Sequence, residues 1–323
     1  MSAARHYTLE NRDAAVSVRE PGTWKTIAKD WKRNKIIYLL ALPVVLYYAV
    51  FHYGPMYGLL IAFKDYSIPD GVWGSKWVGF DHFRNFFESY YFWRLLRNTV
   101  LINVYELLFA FPAPIILALL LNEIRGGLFK RAVQTISYLP HFISIVVVVG
   151  ILFDFLARDG LVNQILAFFG IESIQFMKEP GWFRTLFVGS GIWQGVGWGS
   201  IIYLAAIATI DPTLYEAAKM DGAGRWKQML HITLPGMMPT IVIIFILNMG
   251  SMMSVGSEKV LLMYSPLTYE TADVISTFVY RRGVLETDYG FTAAVGLFNS
   301  VVSFVLLMLS NAISKRVSEH HLW

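Results

Sequence analysis

The sequence predicts an all-α polytopic membrane protein with six transmembrane helices and both termini on the cytoplasmic side. Three observations carry this. Of the 323 residues, 55% are hydrophobic and 15% charged, and the mean hydropathy of +0.49 lies above that of an ordinary water-soluble domain. Six apolar runs reach the roughly 20 residues a helix needs to cross the hydrocarbon core, and the short alternating segments of barrel strands do not occur. The charges then choose an orientation. With both termini inside, 16 of the 27 lysines and arginines and 9 of the 23 acids fall on the cytoplasmic side, against 11 and 14 outside.

Taken in order, the runs are Ile36 to Phe63, Asn98 to Leu121, Ala132 to Leu156, Trp182 to Thr209, Pro239 to Met263 and Phe291 to Ile313. Residues 1–35 form a cytoplasmic tail, 36–63 the first span, 64–97 an external loop and 98–313 the remaining five spans, with a cytoplasmic loop at 211–235. A tail at 314–323 follows. The leading tail is too polar and too long for a signal peptide and is expected to be retained. Within it, Trp24, Ile27, Ala28 and Trp31 recur at helical spacing, while Lys25, Lys29, Lys32 and Arg33 take other faces. That pattern fits a helix lying at the membrane surface, or a flexible basic tail. In the external loop, turn residues Pro69 to Gly74 precede Phe80, Phe83, Phe86, Phe87, Tyr90, Tyr91 and Trp93. The spacing predicts an amphipathic helix that anchors at the interface, with a sugar-stacking platform as the alternative.

The remaining features mostly exclude. Net charge is +4, but the basic residues are scattered and form no stripe that could follow a phosphate backbone, so nucleic acid is not a partner. The absence of cysteine removes disulfides, thiolate metal sites and thiol chemistry together. No G-x-x-x-x-G-K-[ST], H-E-x-x-H or G-x-S-x-G occurs, and His320 with His321 lacks a third ligand. The chain therefore carries no ATP-cradling loop, no metal site and no hydrolytic machinery, and any ATP and magnesium must be bound by a partner. Gly189, Gly191, Gly195, Gly197 and Gly199 sit in an apolar run with no preceding strand. They are read as close helix packing or irregular pore-lining backbone rather than a dinucleotide fingerprint. Glu106 and His141 are the deepest ionisable residues, and burying a charge in hydrocarbon costs roughly 2.5 to 3.5 kcal/mol. They would serve a proton relay in an ion-coupled secondary transporter, the rival reading, or be satisfied by neighbours inside the bundle.

The cytoplasmic loop reads as more than a connector. Asp211 followed by Pro212 supplies an N-cap and a first-turn proline, and Thr213 to Met220 are helix formers. Gly222 and Gly224 permit a turn. A second amphipathic helix then sets Trp226, Met229, Leu230 and Leu234 toward the membrane and is expected to end at Pro235. Small residues Ala217, Ala218, Gly222 and Ala223 allow close approach by a second protein, and Glu216 can pair with a basic group on it.

Here the sequence resembles the permease subunits of binding-protein-dependent ABC importers. Their inner-loop signature, E-A-A, three residues, G, nine residues, I-x-L-P, is met by Glu216, Ala217, Ala218, Gly222, Ile232, Leu234 and Pro235. The resemblance implies the type I importer permease fold. It also implies a coupling role on a partner ATPase for the loop from Glu216 through Met220, Asp221, Ala223 and Gly224, with Ile232 to Pro235 passing displacement to the next span. Met220 to Gly224 resembles the carbohydrate branch, the maltose-permease class. Tyr53 to Tyr66 and Trp77 to Phe83 look like a narrower group serving complex oligosaccharides and polysaccharides, alginate among them. The resemblance further implies a sugar path near the bilayer midplane at Trp193, Gly195 and Trp198 before the loop and Asn248, Met252 and Val255 after it. Met252 and Val255 stand where the class has amide side chains. Gln194 adds a hydrogen-bonding group beside the indoles, which can stack on sugar rings. The partners implied are a second, different permease chain, two ATP-binding subunits and an external solute-binding protein. The chain itself is no enzyme.

Overall fold

The computed structural model describes residues 23–124 and 126–317. The leading tail before residue 23, Arg125 and the histidine pair near the C-terminus lie outside the described residues. The chain divides into two units, the first ending at Gly58 and the second beginning at Leu59.

In the first unit, helix α1 (Thr23–Tyr48) runs from the end of the leading tail into the first span, with a break at Asn34, which has φ −114° and ψ 24°. Trp31 stacks on Tyr38 across that break, 5.1 Å between centroids. The apolar part continues into a π turn, Ala49–Tyr53.

The second unit opens with a short antiparallel pair, β1 (Lys64–Asp65) and β2 (Lys76–Trp77), and a helix at Asp81–Glu88. One aromatic side chain turns inward: Phe86 is buried and meets Phe92, Phe291 and Phe298 at 5.1 to 6.2 Å, while Phe80 and Phe87 stay exposed. Spans follow as α2 (Phe92–Glu123), a bent pair α3 (Leu128–Phe142) and α4 (Ile145–Phe155), then α5 (Pro180–Ala208), α7 (Arg225–Gly250) and α8 (Tyr289–Val317), with α6 (Pro212–Met220) between α5 and α7. Among the described residues five helices, α1's apolar stretch included, are long and apolar enough to span a membrane, and the bent pair makes a sixth if counted as one.

Several boundaries differ from the sequence reading. The third run, Ala132 to Leu156, is not one rod but two helices at 100°. The cause is local: Pro140 cannot donate to the preceding turn, a 3-10 turn covers Leu139–Phe142, and Ser144 caps the new helix by accepting from the Val147 amide. The second span starts at Phe92, six residues early, because Phe92 and Leu95 are buried in an aromatic cluster that apolar run length does not register. The fifth ends at Gly250, and Met263 belongs to a separate helix, Ser257–Met263. Pro235 does not end a helix. A π turn over Met229–Thr233 precedes it, and Pro235 takes a first-turn position in Leu234–Gly250, where its missing N–H is cheap.

The packing explains part of the glycine run. Helix α5 is regular throughout, so pore-lining irregular backbone is absent from it. At Gly197 a Cβ would overlap the Ser137 carbonyl, and at Gly199 it would press on Pro114, so these two bring α5 against α3 and α2; Gly189 and Gly195 face open space. In each of the five straight spans no more than 22% of the apolar window is buried. The rest of that apolar surface requires lipid or a second chain to cover it.

Candidate functional site

The loop at 211–235 folds as a helical hairpin. Asp211 accepts the Thr213 amide at 2.9 Å, which starts α6 and holds the Asp211 carboxyl below its ordinary range. Gly222 ends α6 with φ +74°, a left-handed conformation that glycine adopts without steric cost. The Ala223 amide donates to the Ala218 carbonyl at 2.8 Å and the Gly222 amide to Lys219 at 3.1 Å, the two bonds of a Schellman turn. Tyr215 Oη meets Thr233 Oγ1 at 3.0 Å, and Gln228 Nε2 donates to the Ala223 carbonyl at 2.7 Å, tying the two arms together.

This hairpin gathers the signature residues. Glu216, Ala217, Asp221, Gly222 and Gly224 are exposed along its tip, while Ala218 and Ala223 are half-buried. Met220 is 84% exposed and Trp226 72%, two large apolar side chains standing free at a polar tip. Ile232 and Leu234 are half-buried and Pro235 is exposed at the base, where the hairpin runs without a break into α7.

A second feature lies within the bundle. A cavity of about 370 Å³ opens between α2, α5 and α7, and its lining includes Glu106, Asn103, Tyr203, Asn248, Ser251 and Met252. Glu106 begins a π turn, Glu106–Ala110, ahead of Pro112. The widened turn sits at the cavity wall, as such bulges often do at functional sites.

The sequence-predicted path residues do not all meet there. Asn248 and Met252 line the cavity. Gln194 instead donates to the Ile143 carbonyl at 2.8 Å, and Trp198 stacks on His141 at 4.6 Å with planes 1° apart. Both brace the bend between α3 and α4. Trp193 is half-exposed, Gly195 meets nothing at its would-be Cβ, and Val255 is buried in an apolar cluster. Glu106 and His141 also part company, since one lines the cavity and the other stacks at the bend.

Sequence reasoning missed a polar knot where α2 begins. Asp273 is fully buried and takes Arg94 at 3.0 Å and Arg281 at 2.8 Å, with Thr277 donating at 3.0 Å. Asn98, also buried, donates to the carbonyls of Glu270 and Asp273 and accepts from Arg184 at 2.9 Å. Lys259 is buried and donates to the Phe187 carbonyl at 2.6 Å, its ammonium 4.6 Å from the Phe187 ring centre. The signal was available only as Asn98, Thr99 and Asn103 interrupting an apolar run.

The family described as Binding-protein-dependent transport system inner membrane component matches residues 110–319. Protein LplB of Bacillus subtilis (strain 168) is 46% identical over 97% of this chain and 98% of its own length. The polygalacturonan/rhamnogalacturonan transport system permease protein YteP of the same organism is 45% identical over 90% and 91%. A chain of the bacterial alginate ABC transporter, solved in complex with alginate pentasaccharide-bound periplasmic protein, is similar with a TM-score of 0.85 and 43% identity, covering 91% of this chain and 99% of that one. With the match extending from α2 through the hairpin to the last span, the chain belongs to the binding-protein-dependent transport system inner membrane components, the multi-pass permeases of ABC importers.

Proposed function

We propose that this chain forms half of the translocation path of an ATP-driven importer of an oligosaccharide or polysaccharide, with acidic chains such as alginate or polygalacturonan as the substrate class. A different permease chain supplies the other half and covers the apolar span faces left exposed. Two separate ATP-binding subunits hold ATP and magnesium, and an external solute-binding protein delivers the sugar. The hairpin from Glu216 to Gly224 docks in the ATP-binding subunit, with Glu216 facing a basic group and Met220 in an apolar groove. The sugar passes the cavity at Asn248 and Met252, with Trp193 as a stacking surface nearer the partner chain. The substrate assignment rests on the likeness to YteP, a polygalacturonan/rhamnogalacturonan permease, and to the alginate transporter.

One observation carries the mechanism: a rigidly capped hairpin presents Met220 and Trp226 to solvent and is continuous with α7. The family membership and the separation of Glu106 from His141 weigh against a proton relay. The test is uptake in vesicles of the assembled transporter. Uptake that requires ATP and survives a protonophore is expected, with an ATPase accompanying the chain on purification. Proton-driven uptake by the chain without an ATPase overturns the proposal.

A further inference from the structure

The helix ends nearest the hairpin enclose a cleft of about 870 Å³. Four segments reach it together: α2 ends there at Glu123, α3 begins at Leu128, α5 ends at Ala208, and the hairpin enters between α6 and α7. These are the ends of spans, so the cleft lies at one boundary of the membrane. Its lining carries Lys130 from the first turn of α3, Lys219 from the last turn of α6 and Arg225 from the start of α7, with Glu123 as its single carboxylate. Among the described residues none of these three basic side chains has an ion pair or a hydrogen bond, whereas Arg84, Arg94, Arg281 and Arg282 each hold a carboxylate. Asp211 caps α6 and stands outside the lining, as do Glu216, Asp221, Arg131 and Lys227. Three cations against one acid leave two positive charges in the lining unmatched.

The walls beside the cations are apolar. On α2, Ile116 and Leu120 are exposed and share a face with Glu123, at steps of four and three residues. On α5, Ile201, Leu204 and Ala208 likewise share a face; the last two line the cleft, and Ile201 is exposed on the span side of them. Leu128 and Phe129, next to Lys130, are exposed as well. A water-borne anion would match the cations and leave these faces bare, and a soluble protein would not extend along the spans. A molecule with an anionic head and apolar tails matches both, and basic pockets between helices at a membrane surface take such heads.

We propose that this cleft holds the phosphate headgroup of an anionic phospholipid, with its acyl chains against Ile116 and Leu120 of α2 and Ile201 and Leu204 of α5. Lys130, Lys219 and Arg225 come from three separate segments, so one headgroup bridges the start of α3 to both arms of the hairpin. Such a site needs only the multi-pass membrane location and is independent of the substrate carried.

In the test, the assembled transporter in detergent is titrated with dioctanoyl phosphatidylglycerol and, separately, with dioctanoyl phosphatidylcholine, and the lipids retained per complex are counted by native mass spectrometry. One phosphatidylglycerol per copy of this chain is expected to be held about tenfold more tightly than phosphatidylcholine, which has the same phosphate but no net charge. Lys130→Gln weakens retention about fivefold, the loss of one basic contact at a charged surface, and Lys130→Gln with Arg225→Gln weakens it roughly 25-fold. Lys130→Arg keeps wild-type retention, and Lys178→Gln, beyond the opposite end of α5, leaves it unchanged. Equal retention of the two lipids, or retention untouched by Lys130→Gln, overturns the site. Displacement of the lipid by inorganic phosphate at the same concentration shows that the acyl chains contribute nothing, and overturns the lipid assignment in favour of a free anion. Loss of the ATP-binding subunits from Lys130→Gln with phosphatidylglycerol retention unchanged also overturns it and makes the cleft a seat for that protein. ATP-driven uptake is scored separately, and its absence strikes the import reading alone.

Discussion

Gly222 offers the sharpest test of the hairpin because its two possible roles separate. Its φ of +74° is a conformation that costs an alanine roughly 1–2 kcal/mol, and a β-branched residue more. A Cβ there meets nothing within 4 Å inside this chain, so no packing penalty is added. Gly222→Ala should therefore reduce the population of the correctly turned hairpin by roughly 5- to 30-fold while the spans insert normally. Gly222→Val should go further. Gly224 provides the control: its φ of −68° and ψ of 169° suit any residue, and its would-be Cβ also meets nothing. Gly224→Ala keeps the turn and reports only on close approach by a partner. ATP-driven uptake and ATP hydrolysis are measured in vesicles holding equal amounts of each variant. Loss with Gly222→Ala alone identifies the turn as what coupling needs, and loss with both identifies a tight docking surface. Wild-type uptake with Gly222→Val at normal membrane levels would refute the assignment of this hairpin as the coupling element.

Two further predictions concern the folded chain itself. Asp273→Ala leaves Arg94 and Arg281 facing each other without their buried carboxylate, and should destabilise the second unit by about 3–5 kcal/mol; thermal unfolding in detergent checks this, and an unchanged transition would show the knot to be dispensable. Asp211 bonds the Thr213 amide as a carboxylate and so has a lowered pKa when folded, which means its contribution is complete above the unfolded pKa and fades as pH falls through the folded one. Protection of the amides at the start of α6, taken relative to their intrinsic exchange rate, should therefore fall below about pH 4 in the wild type, and in Asp211→Ala should be low at every pH.

Much of this was readable in the residues because membrane spans and helix caps are local. Run length locates a span since every backbone polar group must be satisfied within its own segment, and Asp211, Pro212 and Gly222 encode their cap and turn without help from distant parts. Even so, Ala132 to Leu156 looked like one span, because hydropathy averages over Pro140 and does not register that Ser144 starts a new direction. Pro235 was read as a stop, since the π turn that moves it into a first-turn position is a backbone adjustment with no composition of its own.

The site was legible in halves. The signature loop is a contiguous stretch, and fixed spacing along one hairpin survives as fixed geometry. The proposed sugar path joins residues from different helices, where spacing along the chain says nothing about which side faces which. Asn248 and Met252 reach the cavity with Glu106, but Gln194 and Trp198 turn to the bend at Ile143 and His141.

By itself, then, the sequence determined an all-helical membrane permease with a capped helical hairpin between two spans, because hydrophobicity, caps and turns act over a few residues. Only the tertiary structure decided that Arg94, Asp273 and Arg281, up to 187 positions apart, close into one buried knot. Burial is what makes such charges seek one another, and burial is set by how helices pack rather than by the order of residues along any one of them.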